Sequence, residues 1–305
     1  MKRIAVFAHY DRDNLVDDHV YAYIESLKNF VDKVVFVSVS NPKNLDILDG
    51  IVDEIIVREN VGYDFMSWSQ GIASQSNMFD FDELILCNDS CYGPLRSFED
   101  VFNEMSTRGV DVWGITDSSQ ISYHLQSYFL VFNRAAFSSD VFVNFMTGIK
   151  HEESKFDVVE KYEVGLTSCL ISNGFKVDSL IKSKEIVSQL DTSKVYKDKI
   201  RRVALLLKKN ILDEKGFRKK IIGVVSLIRN YYTKLVEFSL ADNSNIKFVA
   251  WKELINAGDP FVKVMLLRDN PSNVPDLDDW PAEIKKVSNY NIELISKHLS
   301  RVRND

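Results

Sequence analysis

Cysteine is scarce in this 305-residue chain, with only Cys87, Cys91 and Cys169. An odd, sparse set builds no disulfide framework and points to a reducing compartment. Cys87 and Cys91 stand C-x3-C with no second pair, which is half of a zinc site at most. The five histidines (His9, His19, His124, His151 and His298) show no paired metal-ligand spacing either. Long apolar runs are also missing, since no stretch approaches the roughly 20 residues that span a bilayer. The first apolar run ends in charges after about five residues, the pattern of a strand rather than of a signal peptide. Three further absences exclude whole classes of chemistry. Without G-x-G-x-x-G after the first strand an NAD enzyme is not expected, and without G-x-x-x-x-G-K-[ST] a P-loop nucleotidase is not. Without G-x-S-x-G there is no nucleophile elbow.

Positive charge is in slight deficit, 38 Lys and Arg against 44 Asp and Glu, for a formal charge of −6. That balance argues against a surface built for polyanions, and no nucleic-acid partner is expected. The deficit is uneven. Residues 194–234 hold 13 basic and 3 acidic side chains, leaving 25 basic against 41 acidic elsewhere.

Over the first 180 residues short β-rich runs alternate with amphipathic stretches. RIAVFA (3–8), KVVFVSVS (33–40), EIIVR (54–58), ELILCN (83–88), VDVWGIT (110–116) and SYFLVFN (127–133) read as strands. Between the first two, Leu15, Tyr21, Ile24 and Leu27 fall at helical spacing. Continuous Val, Ile and Leu runs separated by helices mean an α/β fold with a mostly parallel sheet covered on both faces. After about residue 190 the pattern turns helical and basic, with a final helix expected near 291–303. The chain is therefore read as an α/β unit over 1–190 and a basic helical region over 191–305.

In open α/β sheets ligands bind outside the carboxyl ends of the strands, and three polar clusters fall there. HYDRDN follows the first strand, either as a solvated loop capped at Asp13 or Asn14 or as a nucleotide-base contact through His9 and Tyr10. RENVGYDFMSW follows the third. Here Asn60 and Gly62 suit a tight turn, Gly62 at positive φ, and Asp64 opens a helix beside Tyr63 and Trp68, as cap or as ligand contact. CNDSCYGPL follows the fourth. Asn88, Asp89 and Ser90 offer hard oxygens of the kind that Mg²⁺ or Mn²⁺ takes when it also holds a diphosphate, though Asx turns are common after strands.

In that order and spacing, ENVGYDFMSW, LILCNDSCYGPL, VWGITDS and HLQSYFLVFNRAAF resemble the rhamnan synthesis protein F family of bacterial polysaccharide glycosyltransferases, over roughly residues 4 to 180. A looser likeness extends to inverting GT-A transferases, whose fourth strand ends in Asp-x-Asp. Asn88-Asp89-Ser90 departs from that pattern by offering one carboxylate, with Asp89 as the best single metal ligand. The resemblance implies transfer of a sugar, dTDP-L-rhamnose or a related deoxyhexose donor, to a lipid-linked glycan acceptor on the inner face of the cell membrane. It places His9, Tyr10, Asn60, Gly62, Tyr63, Asp64, Trp68, Asn88, Asp89 and Ser90 on the donor side, with a divalent metal at Asp89. It makes Glu163 in KYEVGLTSCL the base, with Glu160 and Asp117 as competitors. His124 and Gln126 fall on the acceptor side or are loop residues, and Trp68 and Trp113 stack on a sugar or are core. A non-catalytic assembly protein that binds nucleotide sugar or glycan is the alternative.

Two features remain. KIRRVALLLKKN and FRKKIIGVVSLIRNYYTK set cations beside apolar stripes, as in helices that lie in a membrane interface, or as in helices that pack on protein. In FVKVMLLRDNP, Lys263 and Arg268 are candidates to reach an anionic group, or form surface ion pairs.

Overall fold

The computed structural model describes residues 1–190 and 245–303. Its centre is β1 (Arg3–His9), where Ile4, Val6 and Ala8 face one way and Ala5 and Phe7 the other, all buried. Side chains alternate across a strand, so apolar residues at every position require cover on both faces. β2 (Lys33–Ser38) and β4 (Glu83–Asn88) pair parallel to β1, and β3 (Glu54–Val57) pairs parallel to β2. Beyond β4 lie β8 (Phe129–Asn133), β6 (Val112–Ser118) and β9 (Val177–Ile181), while β5 (Cys91–Tyr92) and β7 (His124–Leu125) are two-residue strands.

The long strands thus run β3-β2-β1-β4-β8-β6-β9, parallel except for β8, which is antiparallel to both neighbours. The reversal of β8 is not visible in its composition, which matches the parallel strands. It follows from the connection: only Ser118 to Phe129 separates the two strands, and a parallel crossover takes a dozen or more residues.

On one face α1 (Asp18–Lys28) and α3 (Phe98–Ser106) cover Ala5, Phe7, Phe36 and Ile85. On the other, α2 (Tyr63–Ala73), α5 (Asp140–Thr147) and α7 (Gly165–Ser172) cover Val6, Val35, Val37 and Leu86. Short helices α4 (Arg134–Phe137) and α6 (Lys155–Val158) and the helix α8 (Ser183–Gln189) complete this part. A π-helical turn, Val159–Val164, joins α6 to α7. Helix α1 starts later than a cap at Asp13 or Asn14 would set it. Asn14 takes the left-handed conformation (φ 58°), and Asp11 Oδ1 accepts the Asp13 and Leu15 N–H groups, so the chain turns before the helix begins.

After residue 245 come α9 (Ile246–Val249), α10 (Trp251–Asn256), β10 (Val262–Lys263), α11 (Val264–Asp269), α12 (Trp280–Val287) and α13 (Ile292–Val302). Ile246, Ala250, Leu254 and Phe261 join the core under α1 and α3, so this segment packs directly on the sheet. The rest builds a third cluster around Trp251, Leu266, Trp280, Ile284 and Ile295. β10 pairs antiparallel with β5, just past the end of β4. Gly93 permits this approach, because a Cβ there would stand 2.4 Å from the Pro260 carbonyl oxygen and its φ is 151°. The basic stretch 194–234, with its Lys208, Lys209, Arg218, Lys219 and Lys220 cluster, lies outside the described residues. No helix among the described residues is long and apolar enough to cross a membrane.

Candidate functional site

The carboxyl ends of β1, β2 and β4 meet around Asp89. Its Oδ2 accepts the Tyr10 N–H at 2.8 Å and stands 4.0 Å from His9 Nε2, while His9 Nδ1 is bonded to Ser38 Oγ at 2.9 Å. The His9 ring is buried, and that burial lowers its pKa to about 4 despite the opposing pull of Asp11. It is a neutral support beneath Asp89, with no face open to a ligand. Tyr10 beside it is 53% exposed and free to meet one.

The turn before α2 brings a second carboxylate. Gly62 sits at φ 77° as the cap of α2, where a Cβ would clash with Met66, and Tyr63 follows at φ 55° and is 45% exposed. Successive positive φ values, one on a bulky residue, are costly and concentrate where a ligand is held. Arg58 fixes the loop by donating to the Glu59 and Val61 carbonyls, which leaves Asn60 exposed at its tip. Asp64, in the first turn of α2, then accepts Asn88 Nδ2 at 2.8 Å.

From Asp64 a polar chain runs across the end of β4. Asn88 Oδ1 accepts the Ser90 N–H and the Ser90 hydroxyl, and Ser90 Oγ accepts Lys263 Nζ at 3.0 Å. The ammonium also lies 4.4 Å from the centre of the Tyr128 ring. Burial raises the Asp64 pKa, against Lys263 and the Asn88 hydrogen bond, which lower it. Burial raises Asp89 well above the usual carboxylate range, and Asp64 and Asp11 push the same way against the Tyr10 N–H. Two carboxyls that resist ionisation together make a site that gains from an added cation.

Glu163 reaches this neighbourhood from the π-helical turn, an irregularity frequent at functional sites. Its Oε1 accepts the Ser127 N–H at 2.7 Å, and its charge adds to the upward shift of Asp64. Glu160, on the same turn, is exposed.

Other expected site residues fall elsewhere. Trp68 is fully enclosed and donates its Nε1–H to the Cys87 carbonyl at 3.0 Å, so it is core and touches no ligand. Trp113 packs against Phe102 and Phe129 in the opposite core. Both oxygens of buried Asp117 are occupied, by Ser179 Oγ at 3.0 Å and the Ser183 N–H at 2.7 Å, so it anchors the start of α8. Buried His124 donates Nδ1–H to the Ser122 carbonyl at 2.8 Å, and buried Gln126 accepts Thr116 Oγ1 at 2.7 Å. Arg268 forks onto Asp269 on the surface.

The sequence pattern concealed two features. Lys247 and Asp259 form an enclosed ion pair, with Nζ 2.7 Å from Asp259 Oδ2 and 2.6 Å from the Phe261 carbonyl oxygen. Arg301 of α13 grips Asp11, Asp13 and Asp17 together, so HYDRDN is a clamped loop rather than a solvated one. Nothing in the local spacing of these residues signals either contact.

The carboxylate oxygens of Asp89 and Asp64 are of the kind a hard divalent cation takes, with His9 Nε2 4.0 Å from Asp89 Oδ2 as the neighbouring nitrogen. Asp89 and Asp64 supply one or two carboxylates, the number Mg²⁺ uses when substrate phosphates complete its shell.

Counting only the long strands, the order is 3-2-1-4-6-5-7 with the sixth antiparallel, and the polar residues gather at the carboxyl edge. That arrangement defines a GT-A-like α/β fold. The chain belongs to the rhamnan synthesis protein F family, whose model matches residues 34–221. The virulence protein VirA of Vibrio anguillarum is 27% identical over 96% of this chain and 88% of its own length. Among solved structures, 4-diphosphocytidyl-2C-methyl-D-erythritol synthase from Anaerococcus prevotii overlays with a TM-score of 0.36 at 12% identity, covering 59% of this chain and 89% of that one. A putative nucleotide-diphospho-sugar transferase from Desulfovibrio desulfuricans gives 0.36 at 12% identity, covering 60% and 81%. The strand order, not these distant overlays, carries the fold assignment.

Proposed function

We propose that this protein is an inverting glycosyltransferase that moves rhamnose or a related deoxyhexose from a dTDP-linked donor to a lipid-linked, growing surface polysaccharide. The observation that carries this reading is the chain Asp64–Asn88–Ser90–Lys263, with Asp89 beside it and Glu163 in the same electrostatic neighbourhood. Tyr10, Asn60, Gly62 and Tyr63 shape the nucleotide side. Asp89 and Asp64 would hold a divalent cation, which would supply Lewis-acid stabilisation to the departing diphosphate. Lys263 adds positive charge to the same group. Glu163 takes the proton of the acceptor hydroxyl as that oxygen bonds to the anomeric carbon from the face opposite the diphosphate. The bond from anomeric carbon to phosphate oxygen breaks, and the nucleoside diphosphate leaves with the electron pair. The Ser127 N–H holds one oxygen of Glu163, which leaves the other for the acceptor.

Thermal unfolding with a panel of nucleotide sugars, with and without Mn²⁺, tests the donor. A ligand that binds only the native state raises the midpoint, and dTDP-rhamnose is expected to raise it most. No shift with any nucleotide sugar would sink the reading. Lys263→Ala is expected to remove a charge-assisted contact of about 1.5–3 kcal/mol, a roughly tenfold to hundredfold weaker dTDP Kd by calorimetry. An unchanged Kd would take Lys263 out of the site.

The single carboxylate in Asn88-Asp89-Ser90 favours a second reading, a nucleotide-sugar-binding assembly protein. Donor binding without transfer to any lipid-linked acceptor would support it. In either case we place residues 1–190 and Lys263 on the donor and the basic region of 191–305 on the acceptor or on an anionic membrane. Neutralising Lys208, Lys209, Arg218, Lys219 and Lys220 is expected to reduce sedimentation with anionic liposomes at low salt, since each cation contributes about 1 kcal/mol at such a surface. Donor binding is expected to persist. No sedimentation of the unaltered protein would exclude membrane docking.

A further inference from the structure

Beside the loop after β1, the start of α1 meets the last helix at Asp17, His19 and His298. One ligand atom from each residue lies within 4.8 Å of the other two, and these residues are the cluster of this kind among the described residues. We propose that Asp17, His19 and His298 form a binding site for a transition-metal dication of the zinc class, which fastens α13 to the loop after β1.

Four observations carry this. First, His19 is only 4% exposed and its Nδ1 has no hydrogen-bond partner, an arrangement that is costly unless something binds there. Second, His298 Nδ1 is bonded to Tyr92 OH at 2.6 Å, while its Nε2 faces Asp17 Oδ2 at 3.7 Å, too far for a hydrogen bond. Metal-ligating histidines engage their second nitrogen in this way, which fixes the tautomer that points a lone pair at the ion. Third, the His19 and His298 ring centres are 4.3 Å apart, which brings two buried imidazoles to one place. Fourth, Asp11, Asp13 and Asp17 gather around Arg301, which donates to Asp17 Oδ2, and Arg12 pairs with Asp13, so three carboxylates face two guanidinium groups.

The donor set argues for the metal class. Two imidazoles and one carboxylate suit zinc and its neighbours, whereas magnesium prefers oxygen alone. Zinc bonds of about 2.0–2.2 Å in a tetrahedron hold the ligand atoms roughly 3.3 Å apart. The 3.7 Å between His298 and Asp17 is already close to that. The two histidines come from opposite ends of the chain, which is why no spacing motif betrays the pair.

The test uses the full-length protein after dialysis against a chelator. Titration with Zn²⁺ against a chromogenic chelator is expected to reveal one tight equivalent per chain, with a raised thermal midpoint that Mg²⁺ does not reproduce. Co²⁺ is expected to give the visible ligand-field absorption of a four-coordinate site. His298→Gln and His19→Gln are each expected to weaken zinc binding at least tenfold, while Asp89→Ala keeps it. Absence of the tight equivalent or of the Co²⁺ band in the unaltered protein overturns the proposal, whatever the variants' folding. So does undiminished zinc binding in the double histidine variant, which would place the metal at a thiol such as Cys169.

Discussion

Glu163→Gln is expected to lower kcat for sugar transfer by about 10²–10⁴-fold, the usual contribution of a positioned general base. The substitution isolates proton transfer from architecture. Glutamine keeps a carbonyl oxygen where Glu163 Oε1 accepts the Ser127 N–H, so the π-helical turn and the strand it touches retain their contact. The amide cannot take a proton from the acceptor hydroxyl. Donor binding is expected to change little, because Asp89, Asp64 and Lys263 are untouched, and calorimetry with dTDP checks this separately from rate. Glu160→Gln, on the exposed side of the same turn, serves as the control and should leave kcat unchanged. Full transfer activity in Glu163→Gln, with acceptor saturating, would move the base elsewhere. Asp117 is a poor substitute, since Ser179 and the backbone of Ser183 already occupy its two oxygens.

Much of the polar carboxyl edge is legible from residues alone, because it is local. Gly62 and Asp64 are two positions apart and belong to one strand-to-helix turn, so a glycine requirement and a first-turn carboxylate read directly. Asn88, Asp89 and Ser90 end a strand whose apolar run is unmistakable. The strands themselves announce their burial on both faces, since β1 and β4 have no polar position between Ile4 and Ala8 or between Leu84 and Cys87.

What is not legible depends on the third dimension. Trp68 carries the same composition signal whether it stacks on a sugar or fills the core, and only its bond to the Cys87 carbonyl decides. The antiparallel course of β8 is a property of its connection rather than of its residues. His19 and His298, Arg301 with its three aspartates, and Lys263 with Ser90 each join segments far apart in sequence. Their pairing follows from where α13 and β10 dock, which in turn follows from apolar faces that many partners would satisfy.

That docking leads to the largest stability effect. Asp259→Ala is expected to cost about 3–5 kcal/mol, read as a lowered urea midpoint at constant m-value. Lys247 is 1% exposed, so its ammonium would keep only the Phe261 carbonyl and the face of Tyr128, 4.9 Å away. An unpaired buried charge explains the size of the loss, a large part of the 5–15 kcal/mol that holds a typical domain together. Replacing both partners, Lys247→Met with Asp259→Leu, removes the charge as well as the attraction and is expected to recover most of the loss. Such non-additivity separates a desolvated pair from two independent surface residues. The pair also orients the site, because Asp259 Oδ1 accepts the Phe261 N–H and Lys247 holds the Phe261 carbonyl, directly before the strand that presents Lys263 to Ser90. Asp259→Ala should therefore weaken dTDP binding even where the protein remains folded, and the double replacement should restore folding more completely than binding. A cost below about 1 kcal/mol for the single substitution, the range of an exposed pair, would show that water reaches Lys247 and that the pair does not position β10.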